Sequence, residues 1–257
     1  MTHILDHILC GVDDSAAGAT AARLAARISR PDSSLELVSA EDPTAIAQAG
    51  LYAAQAAVDV AGAARAALER GAEEAAAHPT VTTRLLKGPP IGSLDAEIER
   101  VAATLVVVGT HDYSRTVGIV LGSVATHILH NAPCSVLIAR EPRDPLHWPR
   151  SIVVGIDGST ESAQAYTVAR ELAERFGASL RCVIAPESDA DPEAARAIAA
   201  DVEELEGRPV DELTVLSEWA DLVVVGSRGL KGLQALGSVS ERVAHRAHCS
   251  VLVVRGT

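Results

Sequence analysis

Apolar residues along this chain keep two rhythms, and the rhythms occur twice in the same order. HILCGVDDSAAGATAARLAARIS from His7 opens with an aliphatic run ending in Gly-x-Asp, after which Ala21, Leu24, Ala25 and Ile28 recur at three- and four-residue spacing. SIVVGIDGSTESAQAYTVARELAERFG from Ser151 repeats the plan, with Ala165, Val168, Ala169, Leu172, Ala173 and Phe176 as its stripe. The first rhythm suits a buried strand and the second a helix laid on a sheet, with Ser15 and Ser159 placed to cap the two helices. The ends of the repeats match more closely: LVVVGTHDYSRTVGIVLGSVATHILHNAPCSVLIAR over 105–140 and LVVVGSRGLKGLQALGSVSERVAHRAHCSVLVVR over 222–255. LVVVG and CSVLIA are aliphatic throughout, as parallel strands covered on both sides require. The pattern predicts two repeated doubly wound α/β domains over 1–140 and 151–257, each a five-stranded parallel sheet of order 3-2-1-4-5 with helices on both faces.

Between its first strand and LVVVG the second repeat is 27 residues shorter than the first. The first repeat fills that interval with a strand SSLELVSA, an Ala-rich helical segment over Thr44 to Ala77, a strand TVTTRLL and a helix DAEIERVAA. The second has SLRCVIA, a short helix from Asp191 to Ala200, a weak strand near Val202 to Leu205, and PVDELTVLSEW, so the shortening falls on the second helix. The Ala-rich segment is expected to cover the sheet and leave its outer side free for a partner. REPRDPLHWPR, with three prolines, continues neither element and reads as a linker over 141–150.

Composition narrows the functional classes. The chain has 257 residues, 48% hydrophobic but only 2% aromatic, so its core is built from Ala, Val, Leu and Ile. Lys and Arg total 22 against 34 Asp and Glu, and the excess is shared by both repeats. Neither offers the basic face that nucleic acid or an anionic membrane requires. No apolar run approaches the roughly 20 residues of a membrane helix, and the N-terminus lacks a basic segment before its apolar stretch, so a cytoplasmic protein is expected. The four cysteines sit inside strand-like runs without CxxC spacing and read as reduced, buried thiols.

The candidate chemistry lies where the aliphatic runs end. A glycine turn after a buried strand lets backbone approach a phosphate, and a helix opening beyond it points unpaired N–H groups and a positive dipole end at the same place. In the first repeat these features are Gly109, His111, Asp112, Gly122, Ser123 and Val124; in the second they are Gly226, Arg228, Gly229, Gly237, Ser238, Val239 and Ser240. In an open doubly wound sheet the loops after strands one and four meet at the switch point. Gly11 with Asp13, and Gly155 with Asp157, then lie opposite, each carboxylate an acceptor for a ribose or an adenine amino group, or simply a helix-entry residue. His111 is either a phosphate or ribose contact or an exposed side chain. Asp112 would repel a polyphosphate unless Mg²⁺ sat between them, whereas Arg228 and Lys231 favour the phosphates in the second repeat. The paired histidines His127/His130 and His245/His248 have no evident further ligands, and a place near a helix C-terminus accounts for them.

Over almost its whole length the chain resembles a tandem universal stress protein. That resemblance implies ATP or a related adenine nucleotide at the carboxyl ends of the strands, and a phosphate signature of Gly, two residues, Gly, nine residues, Gly, then Ser or Thr. The first repeat has the right length but Asp112 at the second glycine; the second keeps its glycines with a loop two residues shorter. The resemblance further implies pairing through the last strands CSVLIA and CSVLVV, an edge logic that also allows chains to associate into a homo-oligomer, and a role in survival under stress, acting on a protein partner the sequence does not identify. GxxxxGK[ST], GxSxG and HExxH are absent, so a dedicated enzyme is not expected. A nucleotide-free interaction scaffold is the competing reading, and a slow ATPase a third.

Overall fold

The aliphatic runs of both repeats are strands in the computed structural model, which describes residues 3–110, 121–185, 190–227 and 238–256. The described residues divide into two compact units: the chain through Thr110 with Gly122–Ala132 forms the first, and Leu121 with everything from Pro133 onward the second.

In the first unit the order is β1 (His7–Gly11), α1 (Ala16–Ile28), β2 (Ser34–Glu41), α2 (Pro43–Gln48), a 3-10 turn (Gly50–Tyr52), α3 (Ala53–Glu74), β3 (Val81–Lys87), α4 (Pro90–Arg100), β4 (Leu105–Gly109) and α5 (Ser123–Asn131). Its strands pair in parallel in the order β3-β2-β1-β4, with Ile8 opposite both Leu35 and Leu105. The stripe residues Ala21, Leu24, Ala25 and Ile28 are all buried, and the Ser15 hydroxyl accepts from the Gly18 amide at the start of α1.

The second unit holds β5 (Ser135–Ala139), β6 (Ser151–Gly155), α6 (Thr160–Phe176), β7 (Ser179–Ile184), α7 (Pro192–Ile198), β8 (Glu203–Glu204), α8 (Pro209–Ser217), β9 (Leu222–Ser227), α9 (Val239–Arg246) and β10 (Ser250–Arg255). Here β8-β7-β6-β9-β10 run parallel, the expected 3-2-1-4-5 order. The shortening does fall on the second helix, 7 residues in α7 against 22 in α3.

Strand β5 pairs antiparallel with β10, Leu137 opposite Leu252, so the two last strands cover one another's edges within one chain. A matched pair of hydrogen bonds closes the ladder, the Arg140 amide to Ser250 Oγ at 3.0 Å and the Arg255 amide to Ser135 Oγ at 3.1 Å. The buried Arg140 guanidinium donates to the carbonyls of Cys249 (3.1 Å) and of Ala244 near the end of α9 (2.6 Å), where a cation is electrostatically favoured.

One expectation needs correction. The segment over 44–77 covers the sheet only in its second half: Ala64, Ala67, Leu68 and Gly71 are buried, while nothing from Ala53 to Ala63 is and Leu51, Tyr52 and Val58 stand exposed. The proline-rich linker continues neither a strand nor a helix, in line with its sequence, and it is anchored. Trp148 is 1% exposed, its indole N–H donates to the Asp221 carbonyl at 2.9 Å, and the Asp221 carboxylate accepts from the amides of Arg150 (2.8 Å) and Ser151 (3.1 Å).

All four cysteines are buried free thiols. Burial pushes Cys182 up to about 11 and Cys249 up to about 12, and raises Cys10 as well. Among the described residues no helix is long and apolar enough to cross a membrane.

Candidate functional site

The first unit brings the ends of its strands together as the sequence requires. Beyond Gly11 the Val12 amide still donates to the Val38 carbonyl at 2.9 Å, and then the chain turns. The Asp13 carboxylate accepts from the Ser15 amide at 3.2 Å and from the Ser15 hydroxyl, which in turn accepts from the Gly18 amide at 3.1 Å. Asp13 therefore sets up the entry to α1 through one oxygen, and its side chain remains exposed at the rim.

Gly109 has a more specific cause than freedom of the backbone. A Cβ there would lie 2.3 Å from the Ala17 carbonyl oxygen and 2.6 Å from its carbon. Only glycine lets the first turn of α1 close on the end of β4, and that approach places Asp13 beside the start of α5. Helix α5 begins at Ser123 with Gly122 as its N-cap and no side-chain cap, leaving its first amides to be satisfied from outside the helix.

These groups enclose a cavity of about 220 Å³. Gly11, Asp13, Gly109, Gly122, Ser123 and Val124 line it, so six of the sequence candidates converge on one volume. Its remaining wall was not foreseen: Val38 and Ala40 of β2, Leu86 of β3, and Pro90 and Leu94 of α4. Among the described residues lining it, Asp13 is the one with a charged side chain. The neighbouring Asp14 is ion-paired with Arg70 of α3. His127, read from sequence as a helix-end residue, instead has its Nε2 2.8 Å from the Asp95 carboxylate of α4.

The second unit reproduces the turn. Asp157 Oδ1 accepts from the Ser159 amide (3.0 Å) and hydroxyl (2.5 Å), and Ser159 Oγ accepts from the Ser162 amide at 3.2 Å. A Cβ on Gly226 would lie 2.5 Å from the Glu161 carbonyl carbon, the same constraint as at Gly109. Gly155, at the end of β6, faces Leu213 of α8. At the following helix the repeats part. Ser238 caps α9 by accepting from the Glu241 amide at 3.2 Å and lies 3.3 Å from the Ser240 hydroxyl. Glu241, nearly buried, occupies the first turn of α9 where the first repeat has Thr126. Val239 opens that helix. The remaining sequence candidates, His111 and Asp112 in the first repeat and Arg228, Gly229 and Gly237 in the second, lie outside the described residues, as does Lys231.

Comparison with known proteins agrees with this architecture. The sequence matches the universal stress protein family over residues 5–140 and 184–255. A universal stress protein of Mycolicibacterium smegmatis is 32% identical, the match covering 96% of each chain, and one of Mycobacterium tuberculosis H37Rv is 32% identical over 70% of each. Among solved structures, a universal stress protein from Archaeoglobus fulgidus shares the fold with a TM-score of 0.75 over 98% of both chains at 17% identity.

Proposed function

Because the chain belongs to the universal stress protein family, we propose that it is a cytoplasmic stress-response protein that binds an adenine nucleotide in the first unit's cavity and acts through the bound state rather than by turnover. The convergence of Gly11, Asp13, Gly109, Gly122 and Ser123 on one volume with aliphatic walls carries this reading. A flat base suits the slot between Val38, Leu86, Leu94 and Val108, where its faces leave water. Asp13, already committed through Oδ1 to the α1 turn, offers its carboxylate to a sugar hydroxyl at the rim. The Ser123 hydroxyl and the uncapped amides of α5 suit a phosphate oxygen. These groups accept, donate and enclose. None of the described lining side chains is a histidine, lysine or cysteine suited to relay a proton or take up a transferred group.

Calorimetric titration of the full chain with adenine nucleotides tests the reading, with Ala40→Leu as the matched variant because Ala40 lines the cavity and a larger side chain takes up its volume. Wild type is expected to bind and the variant to lose at least tenfold in affinity. Equal affinities would place the ligand elsewhere.

A further inference from the structure

We infer that the outer face of α3 is a contact between two copies of this chain, which pair antiparallel about Gly62 and set Asp59 of each copy against Arg65 of the partner subunit.

The face lacks the cover its composition calls for. Fourteen of the 21 residues over 43–63 are Ala, Val, Ile, Leu or Tyr, and Asp59 is the one charged side chain among them. Yet none of the residues there whose burial is described is buried, and Leu51 and Tyr52 are 101% and 77% exposed. Helix α2 packs against α3, and the first three turns of α3 project past the sheet. Short helices are marginal in water unless an apolar face is packed against something, and grouped exposed apolar side chains mark an interface. The last-strand edges, where association was expected, are already occupied within the chain by the β5–β10 ladder.

Charge identifies the occupant. Val58, Asp59, Gly62, Arg65 and Ala66 recur at three- and four-residue spacing on the side of α3 opposite the buried Ala64, Ala67, Leu68 and Gly71. Asp59 and Arg65 stand three residues to either side of Gly62, about 4.5 Å along the helix axis each way. A two-fold axis at Gly62 that runs two such helices antiparallel therefore opposes Asp59 to Arg65 of the partner subunit, and Val58 to Ala66 of the partner subunit, twice each. A parallel pairing would instead set like charges together. Gly62 has open space around it, a Cβ there meeting nothing within 4 Å, and glycine or alanine at this point lets the axes reach the roughly 8–10 Å of packed helices. Both charged side chains are accessible for this role. Arg65 reaches Glu41 only at 3.8 Å and stays 63% exposed, and exposed Asp59 accepts from Gln55 Nε2 at 2.8 Å through Oδ1. One helix face extended by Leu51 and Tyr52 is smaller than the roughly 800 Å² per partner of stable complexes, so association in the micromolar range is expected.

Sedimentation equilibrium of the full chain up to about 200 µM tests the pairing, with wild type beside Asp59→Arg and Arg65→Asp. Wild type is expected to be in monomer–dimer equilibrium. Each substitution alone sets two like-charge pairs in the contact and should weaken association at least tenfold at low salt. An equimolar mixture of the two variants joins acid to base at both positions again, and it should associate within threefold of wild type. Wild type that stays monomeric throughout would give the face to another occupant and overturn the inference. Single variants that dimerise like wild type would place any dimer contact elsewhere. A mixture that associates no better than its components would overturn the reciprocal Asp59–Arg65 pairing.

Discussion

Gly109→Ala adds a single methyl group, and its effect separates two accounts of the glycine at the end of β4. If that glycine exists only to let a ligand approach the backbone, the ligand-free protein should tolerate alanine. The structure says otherwise, because the added carbon would sit 2.3 Å from the Ala17 carbonyl oxygen and 2.6 Å from its carbon, and both atoms are backbone. Relief requires moving the first turn of α1, which is pinned by the Asp13–Ser15–Gly18 hydrogen bonds. Overpacking against a constrained backbone costs about 3 kcal/mol, and for a chain of this size a melting temperature falls by about 2–4 °C per kcal/mol, giving a drop of roughly 6–12 °C. Gly226→Ala meets Glu161 in the same way and should behave alike in the second unit. Gly62→Ala is the control: its Cβ meets nothing within 4 Å on an exposed stretch of α3, so it should stabilise by up to about 1 kcal/mol through helix propensity. Differential scanning calorimetry without ligand resolves these signs. A Gly109→Ala protein that melts within 2 °C of wild type would refute the packing argument and return the glycine to ligand approach alone.

Other consequences can be measured independently. The four thiols should resist iodoacetamide at pH 8 in the native protein and all react in denaturant, since burial raises Cys10, Cys182 and Cys249 and leaves little thiolate; labelling of any of these three in the fold would contradict their placement. The Asp6 carboxyl is held below its usual value of 3.8, chiefly by the His3 amide and further by Arg30, so the stability it contributes is complete above about pH 4 and lost as the pH falls through the lowered value. Asp6→Asn should accordingly be less stable than wild type at pH 7 and equal to it near pH 2 in urea titrations; a constant gap across that range would assign the effect to something other than ionisation. Trp148 is enclosed and Trp219 is 75% exposed, so Trp219→Phe should leave blue-shifted emission shielded from acrylamide, and Trp148→Phe should leave red-shifted, readily quenched emission. The opposite assignment would contradict the anchoring of the linker.

Much of this architecture was legible because it is local. An aliphatic run closed by Gly-x-Asp-x-Ser specifies a strand, a turn and a capped helix within a few residues, and it occurs at both Gly11 and Gly155. What escaped was set by partners distant in the chain. Val38, Leu86 and Leu94 look like ordinary strand and helix positions, and only the parallel pairing of β1 with β2 and of β2 with β3 carries their ends to Asp13. The helix expected at DAEIERVAA begins earlier, at Pro90, because a proline is suited to a helix entry, where a missing amide costs nothing. Alanine spacing in α3 could not reveal that its first three turns extend beyond the sheet they were expected to cover, since alanine is equally at home in a core and on an exposed helix. Trp148 sits in the segment read as a linker, and its indole N–H finds its acceptor in Asp221, 73 residues further on.

Whether an adenine ligand occupies the first unit's cavity is the claim on which the functional account stands, and it is most directly tested by a crystal structure of the full chain grown with millimolar AMP. The account predicts density for the base between Val38, Leu86 and Leu94, with the ribose at Asp13 and the phosphate at Ser123. A well-ordered cavity holding only solvent under those conditions would contradict it.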